Sequence, residues 1–291
     1  MYDDQAPRLL TVHAHPDDES SKGAGTVALA SDGGARCVLV CCTGGEAGDI
    51  LNPAMDTEEV RADIHAVRRR ELAQAAEILG YAEVVWLGYR DSGMPGMPEN
   101  EHPGCFANAP FDEAVARLVA ILRRERHHVV ITYPDIQDGY QHPDHLRVFD
   151  VTIAAIRGAS NAEQFPWAGP VWDVPKLYYS LWTRARMQKT HEAILQLGLE
   201  SPYDDSWFKR PWQDFRVTTS VDISTVWDRR KAALLSHATQ IDPASPFWFA
   251  LPDEVARTVH PYEEYHLARS NVHVELPESD VFAGLRATVD A

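Results

Sequence analysis

Four short apolar runs punctuate the first half of the chain: Arg8–His13, Arg36–Thr43, Glu83–Leu87 and His128–Thr132. They show little polar alternation, which is how strands buried on both faces read. Between them lie helical patterns, from about Ser20 to Ser31, Thr57 to Leu79, Phe111 to Arg126 and Asp144 to Arg157. In the second, Val60, Ile64, Val67, Leu72, Ala75, Ala76 and Leu79 recur roughly at helical spacing, and Gly80 supplies a stop. Met94 to Pro110 is Pro-rich and polar and predicts a loop. Alternating strand and helix gives an α/β class chain with a mostly parallel sheet. Sites in such sheets form beyond the carboxyl ends of the strands.

The pattern changes near residue 160, after which seven of the eight tryptophans fall. Lys176–Leu181 and Arg216–Val221 predict further strands, and Ser224–His237 and Asp253–Thr258 helices. We therefore expect one domain over 1–291. Residues 1–160 form a Rossmann-like core flanked by helices, and 161–291 form a C-terminal extension that completes the sheet and walls the pocket. The 291 residues are 45% hydrophobic, enough for a sizeable core. Lys and Arg number 27 against 43 Asp and Glu, a net charge of −16 that disfavours nucleic acid and anionic membranes as partners. Cys37, Cys41, Cys42 and Cys105 form no C-x-x-C pair, and three sit in one apolar run, as buried thiols do. No apolar stretch approaches a membrane span, and the N-terminus has no signal-peptide pattern. The expectation is a cytoplasmic protein; a homo-oligomer is compatible with the sequence.

The chemistry concentrates in two clusters at strand ends. His13-Ala-His-Pro-Asp-Asp-Glu-Ser20 follows the first strand, and Tyr140-Gln-His-Pro-Asp-His145 comes shortly after the fourth. One His-Pro-Asp is ordinary turn chemistry. Two of them at strand ends, rich in His and Asp, point to a metal. His15 and Asp18 lie three apart in a turn stiffened by Pro16, and His145 supplies a third ligand from the other strand end. Two imidazoles and a carboxylate suit Zn2+, one per chain, with a position left open for water; Fe2+ is an alternative. Such a metal lowers the pKa of water and polarises a carbonyl. Asp17, beside Asp18, is the natural base, although spacing alone leaves open which of the two binds metal. His142 fits an oxyanion partner or an acid for the leaving nitrogen, and Tyr140 an oxyanion donor. Asp144 fits a residue orienting His142. His13 reads as a core or supporting histidine.

These motifs resemble the LmbE-like (PIG-L) family of zinc-dependent de-N-acetylases. His13 to Gly23, Cys42-Thr-Gly-Gly-Glu46, Ile50 to Asp56 and His237-Ala-Thr-Gln-Ile-Asp242 resemble its mycothiol S-conjugate amidase branch. The likeness spans nearly the whole chain. It implies an amide hydrolase acting on a small thiol-sugar conjugate, releasing a mercapturic acid and glucosaminyl-inositol. It also implies His15, Asp18 and His145 as zinc ligands, Asp17 as base, His142 as acid or oxyanion partner and Tyr140 as its helper. Arg68 and Asp91 match positions that face the sugar-inositol part, and Glu46 suits sugar hydroxyls. Lys22 matches a lysine of the amidase branch that the related deacetylase lacks, and the resemblance implies a cation beside the pocket that contacts the bulkier amide substrate. Gln141 departs from the branch, where Pro is common, and makes that turn less rigid. The loop Ser92–Cys105 is where such enzymes could differ in the S-linked group they accept.

Four other readings compete. One is the N-acetylglucosaminyl-inositol deacetylase of the same family. Another is a paralogue that strips mycothiol from a natural-product intermediate. From a different class, Gly23-Ala-Gly-Thr-Val-Ala28 formally fits a dinucleotide fingerprint. Its first Gly, however, lies ten residues past His13, so these glycines read as helix-packing positions. A non-catalytic zinc protein would lack the base or acid, yet Asp17, Tyr140 and His142 are present.

Overall fold

The computed structural model describes residues 6–285. Its elements in chain order are β1 (Arg8–His13), α1 (Asp18–Ser21), α2 (Ala24–Asp32), β2 (Arg36–Thr43), α3 (Glu58–Ala62), α4 (Ile64–Leu79), β3 (Glu83–Tyr89), α5 (Phe111–Glu125), β4 (Val129–Thr132) and α6 (Pro143–Ser160). They continue with β5 (Lys176–Leu181), α7 (Arg184–Gln196), α8 (Asp205–Phe208), β6 (Thr219–Asp222), α9 (Trp227–Ser236), α10 (Pro246–Phe249), α11 (Asp253–Val259) and β7 (Tyr262–Ser270). One seven-stranded sheet has the order β3-β2-β1-β4-β5-β7-β6. The first five strands are parallel, and β7 runs antiparallel to both β5 and β6. The fold is thus α/β with helices on both faces, as expected.

The apolar runs behave as their composition demands. Every residue of β4 and β5 is buried, as are five of the six in β1. On one face α5 and α6 pack Leu118, Leu122, Val148, Val151 and Ala155 against Leu10, Val38 and Val130. On the other, Val27, Ala28, Ala75, Leu79 and Ala233 cover Leu9, Cys37 and Val129. All four cysteines are free and buried. No helix among the described residues is long and apolar enough to cross a membrane.

The chain leaves β1 outward through β2 and β3, then returns to place β4 on the other side of β1. The crevice between β1 and β4 is therefore the point where strand order reverses, the place such sheets use for ligands. Both His-Pro-Asp clusters begin there.

Several boundaries differ from the sequence expectation. The segment expected as one helix from Thr57 to Leu79 is two helices, broken at Asp63. Thr57 caps the first through Val60 N–H, and Asp63 caps the second through Ala66 N–H. The stretch from Ser20 to Ser31 also divides, at Gly23, whose φ of +106° favours glycine. Gly25 is a packing position: a Cβ there would lie 2.5 Å from Ile223 Cγ2. The expected strand Arg216–Val221 begins only at Thr219, after a short 3-10 turn. Helix α7 and strand β7 were not anticipated.

His127, just before β4, is fully buried, and its ring nitrogens have no hydrogen-bond partner among the described residues. Burial pushes its pKa down to about 3. The fold thus holds it neutral while the unfolded chain protonates near 6.5. Its stability contribution is complete above pH 6.5 and is lost as pH falls toward 3, by up to ~1.4 kcal/mol per pH unit. Urea unfolding of His127→Phe between pH 7 and 4 should show a flatter pH dependence than wild type. An unchanged slope would contradict this role.

Candidate active site and metal centre

The turn after β1 is built around an unusual backbone. Asp17 has φ +103°, a left-handed conformation that non-glycine residues adopt at a cost of about 1–3 kcal/mol. Local bonds hold it there. Its N–H donates to Glu19 Oε2 (3.0 Å), and its carbonyl accepts from Ser20 and Ser21 N–H, each at 3.1 Å. Arg68, from α4, donates to the Pro16 carbonyl (2.7 Å), to the Asp17 carboxylate (3.0 Å) and to the Gly45 carbonyl. The result is an Asp17 carboxylate on the cleft wall beside Asp18. Burial and the neighbouring Asp18 charge raise its pKa, against the pull of Arg68.

Asp18 Oδ2 stands 3.4 Å from both His15 Nδ1 and His145 Nε2. It also accepts from His15 N–H (3.0 Å) and from the Tyr133 hydroxyl (2.6 Å). Burial opposes its ionisation, but the Lys22 charge, with hydrogen bonds from His145 and His15, outweighs it and holds the carboxyl well below its ordinary range. Lys22 Nζ lies 2.5 Å from Asp18 Oδ1. His15 faces two further carboxylates, with Nε2 3.2 Å from Asp144 and 3.5 Å from Asp91. Two imidazoles among this many carboxylates make a donor set that fits a divalent cation. The ligand atoms that gather closely enough to share an ion are those of His15, His142 and His145, and those of His15, Asp91 and Asp144; the expected set of His15, Asp18 and His145 is not among these groups.

His142 N-caps α6, its Nδ1 accepting the Asp144 N–H at 3.2 Å. A neutral ring so bonded carries its proton on Nε2. Burial and the nearby His15 lower its pKa, which keeps it neutral. Tyr140 is more than half exposed at the cleft mouth. Asp144 departs from expectation. Only its backbone N–H serves His142, while its carboxylate accepts from Ser92 N–H (3.0 Å) and Ser92 Oγ and lies against His15. It orients His15, because the helix start directs its side chain toward β1.

Of the eleven expected site residues, nine line one cleft of about 780 Å³. Glu46 and Asp144 lie behind its wall. Glu46 Oε1 accepts from Asp91 N–H at 3.2 Å, and Oε2 is buried with no partner among the described residues. Glu46 thus braces the Asp91 loop. Asp91 is itself tied to Ala47 and Gly93 N–H. Lys22 and Arg68 both line the cleft, yet their contacts run to Asp18 and Asp17.

Sequence reasoning missed Tyr133 and the pairing of Glu19 with His237, while His13 has the supporting place expected of it. Tyr133 bridges Asp18 and the Ala14 N–H (2.9 Å) and stacks on His145 at 4.3 Å between centroids. It follows β4 directly, so its strand-end place was the available signal. His13 packs edge-on against Tyr133. Glu19 and His237 form a fully buried pair, Oε1 to Nε2 2.6 Å, with burial opposing and mutual attraction favouring the charged forms. Through Glu19 Oε2 this pair supports the strained Asp17 backbone. His237→Ala strands the buried Glu19 charge and should cost ~3–5 kcal/mol, read by urea unfolding. A loss under ~1 kcal/mol would show the pair to be dispensable.

Comparison with known proteins now places the chain. Residues 10–156 match the model of the PIG-L family, described as GlcNAc-PI de-N-acetylase. This protein belongs to the PIG-L family. It is 45% identical over 290 residues to mycothiol S-conjugate amidase of Streptomyces coelicolor, covering 96% of this chain and 97% of that protein. It is 40% identical to 1D-myo-inositol 2-acetamido-2-deoxy-alpha-D-glucopyranoside deacetylase of Geodermatophilus obscurus, covering 96% and 98%. Among solved structures, N,N'-diacetylchitobiose deacetylase from Pyrococcus horikoshii superposes with a TM-score of 0.63 at 19% identity, covering 90% of this chain and 84% of that one. That likeness concerns the fold. The sequence relatives make this PIG-L protein an amide hydrolase of a metal-dependent family.

Proposed function

We propose that this PIG-L protein is a mycothiol S-conjugate amidase, cutting the amide between an S-substituted N-acetylcysteine and glucosaminyl-inositol. The observation that carries the reading is a cleft that continues on both sides of the His15–Asp18–His145 group. Toward β2 and β3 it is walled by Asp49, Arg68 and Asp91, and toward β4 and β5 by Ile136, Trp182 and other aromatics. A deacetylase needs room for only an acetyl group on one side of the scissile bond. The greater identity to the amidase points the same way. The buried free cysteines fit a reduced compartment, and we place the protein in the cytoplasm.

In this reading His15, Asp18 and His145 hold one Zn2+, which when bound lowers the pKa of water and polarises the carbonyl. Asp17 takes the water proton as the new C–O bond forms. Its pKa, raised by burial and by Asp18, suits it to that task. His142 Nε2–H and the Tyr140 hydroxyl donate to the developing oxyanion. Because its Nδ1 is committed to the Asp144 N–H, His142 acts as a neutral donor. Protonated Asp17 then delivers its proton to the departing nitrogen as the C–N bond breaks, leaving a carboxylic acid, which ionises to solvent, and a free amine. Asp91 and Arg68 face the sugar-inositol part, with Glu46 bracing Asp91.

The test is a paired assay with zinc-loaded enzyme, a mycothiol S-conjugate and N-acetylglucosaminyl-inositol, read by mass spectrometry. The expected result is preferential release of a mercapturic acid. Preferential release of acetate would make this the deacetylase.

A further inference from the structure

The two sides of the cleft differ in chemistry, and the sheet order fixes which is which. Asp91 and Arg68 come from segments after β3 and β2, on one side of the β1–β4 crevice. On the other side, past β5, stands a contiguous aromatic cluster contributed by the C-terminal extension. Phe247 is its centre. Its ring lies 6.1 Å from Trp182 with planes 18° apart, 5.6 Å from Trp207 and 4.8 Å from Trp248. Trp212 joins through its indole N–H, which donates to the Trp207 carbonyl at 3.2 Å. Trp182, Trp207, Trp212 and Phe247 pack on a small core of Met187, Ile194, Tyr203 and Leu251 and also line the cleft. They are only partly buried, so apolar ring surface is left to the cavity.

Several polar groups on this side are engaged, while the buried Trp182 Nε1 has no partner among the described residues. The Arg210 guanidinium stacks on Trp207, 3.6 Å from the ring centroid. Gln213 Nε2 donates to the Ile136 carbonyl, and Arg216 pairs with Asp135. A hydroxyl-rich group placed here finds few polar partners beyond Trp182 Nε1 and Arg210, whereas a planar apolar group stacks on the rings at little desolvation cost. Met94, Met97 and Ile136 add further apolar lining to the cleft.

We propose that this cluster is a subsite for the S-linked substituent, and that it selects flat aromatic groups over small alkyl ones. The inference rests on the amidase reading. It names Trp207 and Phe247 as specificity-determining residues and assigns selection to the C-terminal extension as well as to the Ser92–Cys105 loop. The Met94 and Met97 side chains supply the loop's share, since thioethers adapt to varied shapes.

The test uses zinc-loaded full-length protein and two mycothiol conjugates, S-benzyl and S-methyl. Variants are Trp207→Leu and Phe247→Leu, which stay apolar but remove the flat ring, with unchanged far-UV circular dichroism confirming the fold. Each variant should lower the benzyl-to-methyl ratio of kcat/KM by about tenfold. In parallel, N-acetyl-S-benzylcysteine is titrated by calorimetry, where each variant should weaken binding by about tenfold. If both conjugates are cleaved but the ratio does not move, the subsite is overturned and the amidase reading stands. If neither conjugate is cleaved, yet N-acetyl-S-benzylcysteine binds in a Trp207-dependent way, the subsite stands and the amidase reading fails. If neither cleavage nor binding is seen, both are overturned.

Discussion

Asp17→Asn keeps its metal and loses turnover by about 10²–10⁴-fold, the usual contribution of a positioned base. The substitution isolates chemistry from backbone. Asn tolerates the left-handed region as Asp does, so the φ of +103° needs no rearrangement. Arg68 loses an ionic partner but keeps the Pro16 and Gly45 carbonyls, so the turn stays in place. In the proposed mechanism, what disappears is the group that accepts the water proton and returns it to nitrogen. The loss should fall on kcat with little change in KM, because no substrate contact is removed. Single-turnover rates together with metal analysis read both halves of the prediction. Wild-type turnover in this variant would mean that the base lies elsewhere, with Asp91 and Asp144 the remaining carboxylates near His15.

His145→Ala should lose metal and activity together, the rate falling on the order of 10³-fold or more. His145 is buried against Tyr133 and reaches Asp18 Oδ2 from the first turn of α6. Without it the two strand ends are no longer joined through one centre, and Lys22 is left as the cation nearest Asp18. Stability should change much less than activity, because the ring is neutral: burial pushes its pKa down to about 3. Parallel metal analysis and urea unfolding separate loss of the centre from loss of the fold.

The parts of this protein that were legible in sequence are those where one physical rule dominates. Strands β1, β2 and β4 are buried on both faces, so their composition alone announces them. The site followed because strand ends in a parallel sheet are where side chains converge, and the histidines and aspartates sit there. Strand β7 stayed hidden for the opposite reason. Its residues include Glu263 at a buried position, where polarity masks the alternation. Glu263 is there to accept the Gly25 and Thr26 N–H groups at the start of α2, a contact 237 residues or more along the chain. The break at Asp63 was missed because apolar periodicity runs through it, whereas the decisive signal was the pair of caps at Thr57 and Asp63. Within the site, residue types revealed what could bind metal, but not how the supporting bonds are shared. That Asp144 serves His15, that Lys22 sits on Asp18 and that Glu46 braces Asp91 all depend on side-chain direction, which spacing does not carry.

The central claim is that two distant His-Pro-Asp turns make one metal centre in which Asp17 acts on water. Titrating metal-stripped enzyme with zinc while following hydrolysis of an S-conjugate tests it most directly. The account predicts activity that rises linearly and breaks at one zinc per chain, with Asp17→Asn taking up the same equivalent silently and His145→Ala showing no break. Full activity in the stripped enzyme, or an undiminished one-to-one endpoint in His145→Ala, would contradict it.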